Sequence, residues 1–137
     1  MRLRRRARSD PPRPLLPIER ETLLAILGHA NFQGRDELLA QIDHATVVGT
    51  WDCDCASVDL EVSRDAPRSA CTSSPIPNQA WVLDADGEKI GGILIFLDDG
   101  YLSLLEIHDW LDPPGISSLP PVSQLSLWIY TGPFHGG

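Results

Sequence analysis

A chain of 137 residues with 42% hydrophobic content is long enough to bury one core and too short for a second domain. Its net charge of −8 is unevenly placed: residues 1–14 hold six of the eleven basic side chains against one aspartate, and the remainder carries five basic and eighteen acidic residues, a net of −13. That balance argues against nucleic acid and anionic lipid, which bind through basic surface, and favours a basic protein or a cation.

Residues 1–14 open like an export signal, but no apolar segment follows Arg8; Ser9, Asp10 and a run of prolines come instead. The longest later apolar run, 93–97, is far too short to span a bilayer, so the expectation is a cytoplasmic protein without membrane contact. The first fourteen residues read as a disordered Arg/Pro-rich arm, or as an over-extended start codon. A single domain is expected over 15–137.

Order begins near Leu15, where Pro17 suits a first helical turn and Glu19 and Glu21 complement the helix dipole. Leu23, Leu24, Ile26 and Leu27 supply an apolar face, and Gly28 marks the end. After a loop, residues 35–42 read as a second helix of about two turns burying Leu38, Leu39 and Ile42. From Ala45 the pattern alternates, predicting strands around Val48 and at 58–62, with 52–56 as their turn. Residues 64–79, with three prolines, read as a long loop.

Strands at 80–83, 89–97 and 101–108 follow, separated by the turn sequences Asp84-Ala85-Asp86-Gly87 and Asp98-Asp99-Gly100. Ile93, Ile95 and Leu97 alternate with Leu94 and Phe96, so both faces are apolar and the strand reads as central. Beyond the proline-rich tail only 125–130 reads as a last strand. The fold expected is α+β: two N-terminal helices packed on an antiparallel, largely meander sheet of about five strands.

The densest group of potential ligands is Cys53-Asp54-Cys55, with Cys71 later and His44 before it. Thiolate and imidazole are zinc ligands, and i, i+2 spacing puts both sulfurs on one side of an extended segment. Against zinc stands the lack of a second cysteine pair. Neighbouring carboxylates also raise a thiol's pKa, which opposes reactivity at Cys53 or Cys55, and buried or turn cysteines are the plainer reading. Glu106 and His108, with Asp109 and Trp110, share a strand end suited to acid–base work, though a solvated strand face is the plainer reading. Asp84–Gly87 begins like a calcium loop, but Ile95 stands where the twelfth-position glutamate belongs, so it reads as a turn. With no P-loop, H-E-x-x-H or G-x-S-x-G, no enzyme and no cofactor are expected. Trp51, Trp81, Trp110 and Trp128 fall in or beside strands, as core or as a partner surface.

Several segments resemble a group of small, uncharacterised bacterial proteins from GC-rich genomes, over about 15–121. They are the run Glu19-Arg20-Glu21-Thr22-Leu23-Leu24, the loop and helix from Asn31 to Gln41, Val47-Val48-Gly49 leading to Cys53-Asp54-Cys55, and Asp99-Gly100-Tyr101-Leu102-Ser103-Leu104-Leu105-Glu106-Ile107. The chain departs from that pattern at Asp54, Ala56 and Leu104, where glycine, proline and a polar residue are usual. The resemblance implies a family and no activity. The function expected from the residues is an acidic protein-binding module that masks a basic partner, as immunity proteins and antitoxins do, through Asp52, Asp54, Asp59, Glu61 and Glu106. The alternative is a metal-binding or redox-sensing domain using Cys53, Cys55 and Cys71, with His44 as a further zinc ligand.

Overall fold

The computed structural model describes residues 6–51, 56–111 and 116–132. Among them are two α-helices, α1 (Pro17–Gly28) and α2 (Arg35–Gln41), and seven strands: β1 (Arg6–Pro14), β2 (Ala45–Trp51), β3 (Val58–Val62), β4 (Asn78–Leu83), β5 (Lys89–Asp98), β6 (Tyr101–Asp109) and β7 (Leu125–Ile129). They form one sheet in the order β1-β2-β3-β6-β5-β4-β7, with every neighbouring pair antiparallel. The α+β class and antiparallel sheet agree with the sequence. The strand count does not, since seven strands replace about five.

The strand not expected is β1, at one edge; β7, at the other, falls where 125–130 read as a last strand. Residues 6–14, expected as part of a disordered arm, run as β1 along β2, with a register shift between Arg8 and Arg13. At the other edge β7 pairs with β4 from Asn78↔Ile129 to Val82↔Leu125. The antiparallel run β1-β2-β3 and the meander β4-β5-β6 join through the β3–β6 pairs Val58↔Leu105 and Asp59↔Leu104.

One face of the sheet carries the helices. Leu23, Ile26 and Leu27 of α1, with Leu38 of α2 and Ile42 just after it, are buried with Val47, Leu60, Val82, Ile93, Ile95, Leu102, Leu105 and Ile107. In α1 the buried stripe also includes Glu19 and Thr22, whereas Leu24, expected on the apolar face, is 43% exposed. Glu19 is therefore more than a dipole complement. Its carboxylate accepts from the Leu16 amide at 2.8 Å and from both terminal nitrogens of Arg13 at 3.0 and 2.9 Å, tying the end of β1 to the start of α1. The hydrogen bond to Glu19 raises the Arg13 guanidinium pKa above its ordinary value. Breaking a buried pair by removing one partner is costly, so Arg13→Ala should destabilise by about 3 kcal/mol in urea unfolding. A change below about 1 kcal/mol would mean that water replaces the guanidinium.

Gly28 closes α1 without a left-handed cap, because the described positive-φ glycines are Gly34, Gly87 and Gly100. The last carbonyls of α1 are met from the sheet. Asn78 of β4, 1% exposed, donates through Nδ2 to the Ile26 carbonyl at 3.0 Å and to the Ala30 carbonyl at 2.9 Å. The hairpin turns form as expected. Asp84 Oδ1 accepts from the amides of Asp86 and Glu88, both at 2.9 Å, and Asp99 and Gly100 take φ of 52° and 83°, the paired left-handed geometry of a tight two-residue hairpin. Among the described residues no helix is long and apolar enough to cross a membrane.

Candidate functional site

The sheet face turned away from the helices carries the most unusual group of side chains. Strand alternation and register decide its membership. Core-face pairs Ile93↔Ile107 and Ile95↔Leu105 alternate with Gly92↔His108, Leu94↔Glu106 and Phe96↔Leu104, so the second set points away from the core. The same bookkeeping adds Trp81, opposite Gly92, Trp128, opposite Gln79, and Asp59, opposite Leu104.

At the β7 end of this face lies an aromatic cluster. Trp81 and Trp128 stack with centroids 5.2 Å apart and planes 9° from parallel. Trp110, just past β6 and 57% exposed, meets Trp81 edge-on at 6.3 Å, and Tyr130 meets Trp128 edge-on at the same distance. Lys89 Nζ sits 4.7 Å from the Trp81 ring centroid, a cation–π contact. Gly92 makes the arrangement possible: a Cβ there would lie 2.8 Å from His108 Cε1 and 2.9 Å from Nε2, so the absent side chain lets the imidazole lie across β5. His108 in turn approaches Trp110, with ring centroids 6.4 Å apart.

Toward β3 the face becomes acidic. Glu106 is half-buried, Asp59 is 7% exposed and Glu61, two residues along the same side of β3, is exposed. Leu94, Phe96 and Leu104, all half-buried, fill the ground between the tryptophans and the carboxylates. The result is a gradient across the sheet from large aromatic side chains to anionic ones.

No family model, curated protein or solved structure matches the chain. The chemistry of the face must therefore be weighed from its own geometry. Of the five carboxylates expected to contact a partner, Asp59, Glu61 and Glu106 share this face; Asp52 and Asp54 lie outside the described residues.

Cys53 and Cys55 lie outside the described residues as well. Their expected co-ligands are placed by the sheet. His44 is exposed and immediately precedes β2, whereas the chain departs toward Cys53 from the far end of that strand, about 20 Å away at the rise of extended chain. Cys71 sits in the loop after β3, near the β5–β6 turn, where Ser69 donates its amide to the Gly100 carbonyl at 2.9 Å. Its thiol is half-buried, donates to the Ser73 carbonyl at 3.5 Å, and has its pKa pushed up by burial, the environment of an unreactive cysteine. Among the described residues no group of three or more His, Cys, Asp and Glu side chains is arranged to hold a metal.

The acid–base pair is only partly assembled. Glu106 Oε1 and His108 Nδ1 are 3.9 Å apart, too far for a hydrogen bond. Asp109 is engaged elsewhere, accepting from the amides of Leu111 at 3.1 Å and Ile116 at 2.7 Å. Neither the groove of about 450 Å³ beside Cys71 nor the cavity of about 250 Å³ beside the Arg13–Glu19 pair is lined by Glu106 or His108. Sequence reasoning offered the four tryptophans as core or as a partner surface, but not that Trp81, Trp110 and Trp128 converge. Those positions come from three separate parts of the sequence, and only the β4–β5–β6 and β4–β7 registers bring them together.

Proposed function

We propose that this protein is a protein-binding module whose helix-free sheet face masks a basic partner, in the manner of an immunity protein or an antitoxin. The observation that carries the proposal is the juxtaposition, on one face, of three tryptophans with Asp59, Glu61 and Glu106, in a chain whose residues 15–137 have a net charge of −13. Tryptophan is the residue most often found as a binding hot spot, because it buries a large rigid surface at little cost in rotamer entropy. The exposed Glu61 and the half-buried Glu106 would steer a cationic protein and fix its orientation more than they would add affinity, whereas Asp59, 7% exposed, offers a partner little surface. The partner reads as basic because the cations described beside this face are themselves engaged: Lys89 lies over Trp81, and the Arg64 guanidinium lies 3.8 Å from the Tyr101 ring centroid.

Full-length protein immobilised on beads should retain a basic protein from an extract of its source cell, with retention falling as salt is raised. Against the partner so identified, Trp81→Ala should weaken affinity about 30-fold, corresponding to about 2 kcal/mol. Glu61→Lys should slow association and flatten its salt dependence. Equal binding by wild type and both variants would reject this face. Absence of any basic partner, together with one zinc per chain, would overturn the proposal in favour of Cys53, Cys55 and Cys71.

A further inference from the structure

The two edges of the sheet are built differently. β1 contains Pro11, Pro12 and Pro14 and a register shift between Arg8 and Arg13, all devices that keep another strand from adding to an edge. β7, Leu125-Ser126-Leu127-Trp128-Ile129, has no proline or charged residue, and its register with β4 is unbroken. In a chain of net charge −8, residues 113–137 contain no Asp, Glu, Lys or Arg, so β7 lies in the longest stretch of sequence where two copies could approach without like charges meeting.

From these features we propose that the outer edge of β7 is a homodimer seam, where two copies pair β7 with β7 antiparallel about a two-fold axis at Leu127. The hydrogen-bond directions fit this register. Tyr130 donates its amide to the Pro77 carbonyl at 2.9 Å, and Tyr130, Trp128 and Ser126 alternate with Leu125, Leu127 and Ile129 along the strand. The first set therefore turns its amides and carbonyls toward β4, and the second set turns them outward. Antiparallel pairing centred on Leu127 places Leu127 opposite itself and Leu125 opposite Ile129 of the second copy. These are the residues whose polar groups face out: Leu127 exchanges two hydrogen bonds with its counterpart, and because the Leu125 amide already donates to the Val122 carbonyl, each Leu125–Ile129 pair forms one, from the Ile129 amide to the Leu125 carbonyl.

The side chains agree with the same register. On the helix face Leu125 would meet Ile129 of the second copy, covering a side chain that is 43% exposed in the single chain. On the opposite face Ser126 would lie against Trp128 of the second copy, small beside large. The interface is isologous, so it closes at two copies and does not propagate into a fibre. The seam borders the tryptophan face at Trp128.

Sedimentation equilibrium and light scattering on the full chain test the seam, with near-ultraviolet circular dichroism reporting the fold. The wild type should have twice the monomer mass at micromolar concentration. Leu127→Pro removes an outward amide from the ladder together with a side chain partly packed on the core, and Ile129→Lys places a charge at an exposed position. Each should halve the mass while leaving the spectrum native. Should Leu127→Pro fail to fold, Ile129→Lys decides alone. A monomeric wild type would overturn the proposal, and so would a dimer that persists in the folded variants.

Discussion

Gln41→Leu should lower the unfolding free energy by about 4 kcal/mol with the urea m-value unchanged. Gln41 ends α2 with its side chain fully buried. Its Nε2 donates to the Pro67 carbonyl at 2.8 Å and the Gly100 carbonyl at 2.9 Å, and its Oε1 accepts from the Leu102 amide at 2.9 Å. One side chain thus satisfies backbone groups from the loop after β3, the β5–β6 turn and the buried start of β6. Leucine nearly conserves volume, so little packing is lost. The cost comes from two backbone groups left without partners, the Pro67 carbonyl and the Leu102 amide, each worth about 1–3 kcal/mol when it cannot reach water, while the Gly100 carbonyl keeps the Ser69 amide. The exposed Gln33 supplies the control, because Gln33→Leu should stay within about 0.5 kcal/mol. A Gln41→Leu loss below about 1 kcal/mol would show that water reaches the vacated groups.

A comparable loss, about 3–5 kcal/mol, is expected for Gly34→Ala. Gly34 is the N-cap of α2 with φ of 89°, in the left-handed region that side chains avoid. A Cβ there would also lie 2.5 Å from the Cys71 amide nitrogen and closer still to Ser69 Oγ. Ser69 cannot step aside cheaply, since its hydroxyl donates to the Gly34 carbonyl at 2.8 Å and accepts from the Cys71 amide at 3.0 Å. The same change at Gly28 should have the opposite sign. That glycine has an ordinary helical role, with nothing within 4 Å of a built Cβ, so Gly28→Ala should be neutral or stabilising by up to about 1 kcal/mol. Paired thermal melts suffice as the check. If Gly34→Ala melted no lower than Gly28→Ala, the close approach of the 69–71 loop would be wrong.

These two substitutions mark where the sequence was legible and where it was not. Gly28, followed by a loop, looks like the glycine that terminates a helix, yet the left-handed conformation belongs to Gly34. The termination of α1 is instead supplied by Asn78, fifty residues downstream on β4. Capping by a distant side chain leaves no local pattern. Glu19 has the same character: its place in the first turn suits the helix dipole, and only the neighbouring β1 shows that it sits on the buried stripe with Arg13 as its counter-ion.

By itself the sequence determined what depends on short-range periodicity and turn chemistry. Apolar residues at helical spacing produced α1 and α2, and alternation produced β2 to β6. Asp-Gly turns joined β4 to β5 and β5 to β6, since only a few residue types accept the backbone angles those turns require. The tertiary structure alone decided what depends on register and on sheet edges. Residues 6–14 have too little apolar character to announce a strand, and they become one because β2 offers an unpaired ladder beside them. The tryptophan face exists because antiparallel pairing aligns Trp81 with Gly92, Gly92 with His108 and Gln79 with Trp128. A one-residue slip would send each of those side chains to the other face, and nothing within a single strand specifies which neighbour it will meet.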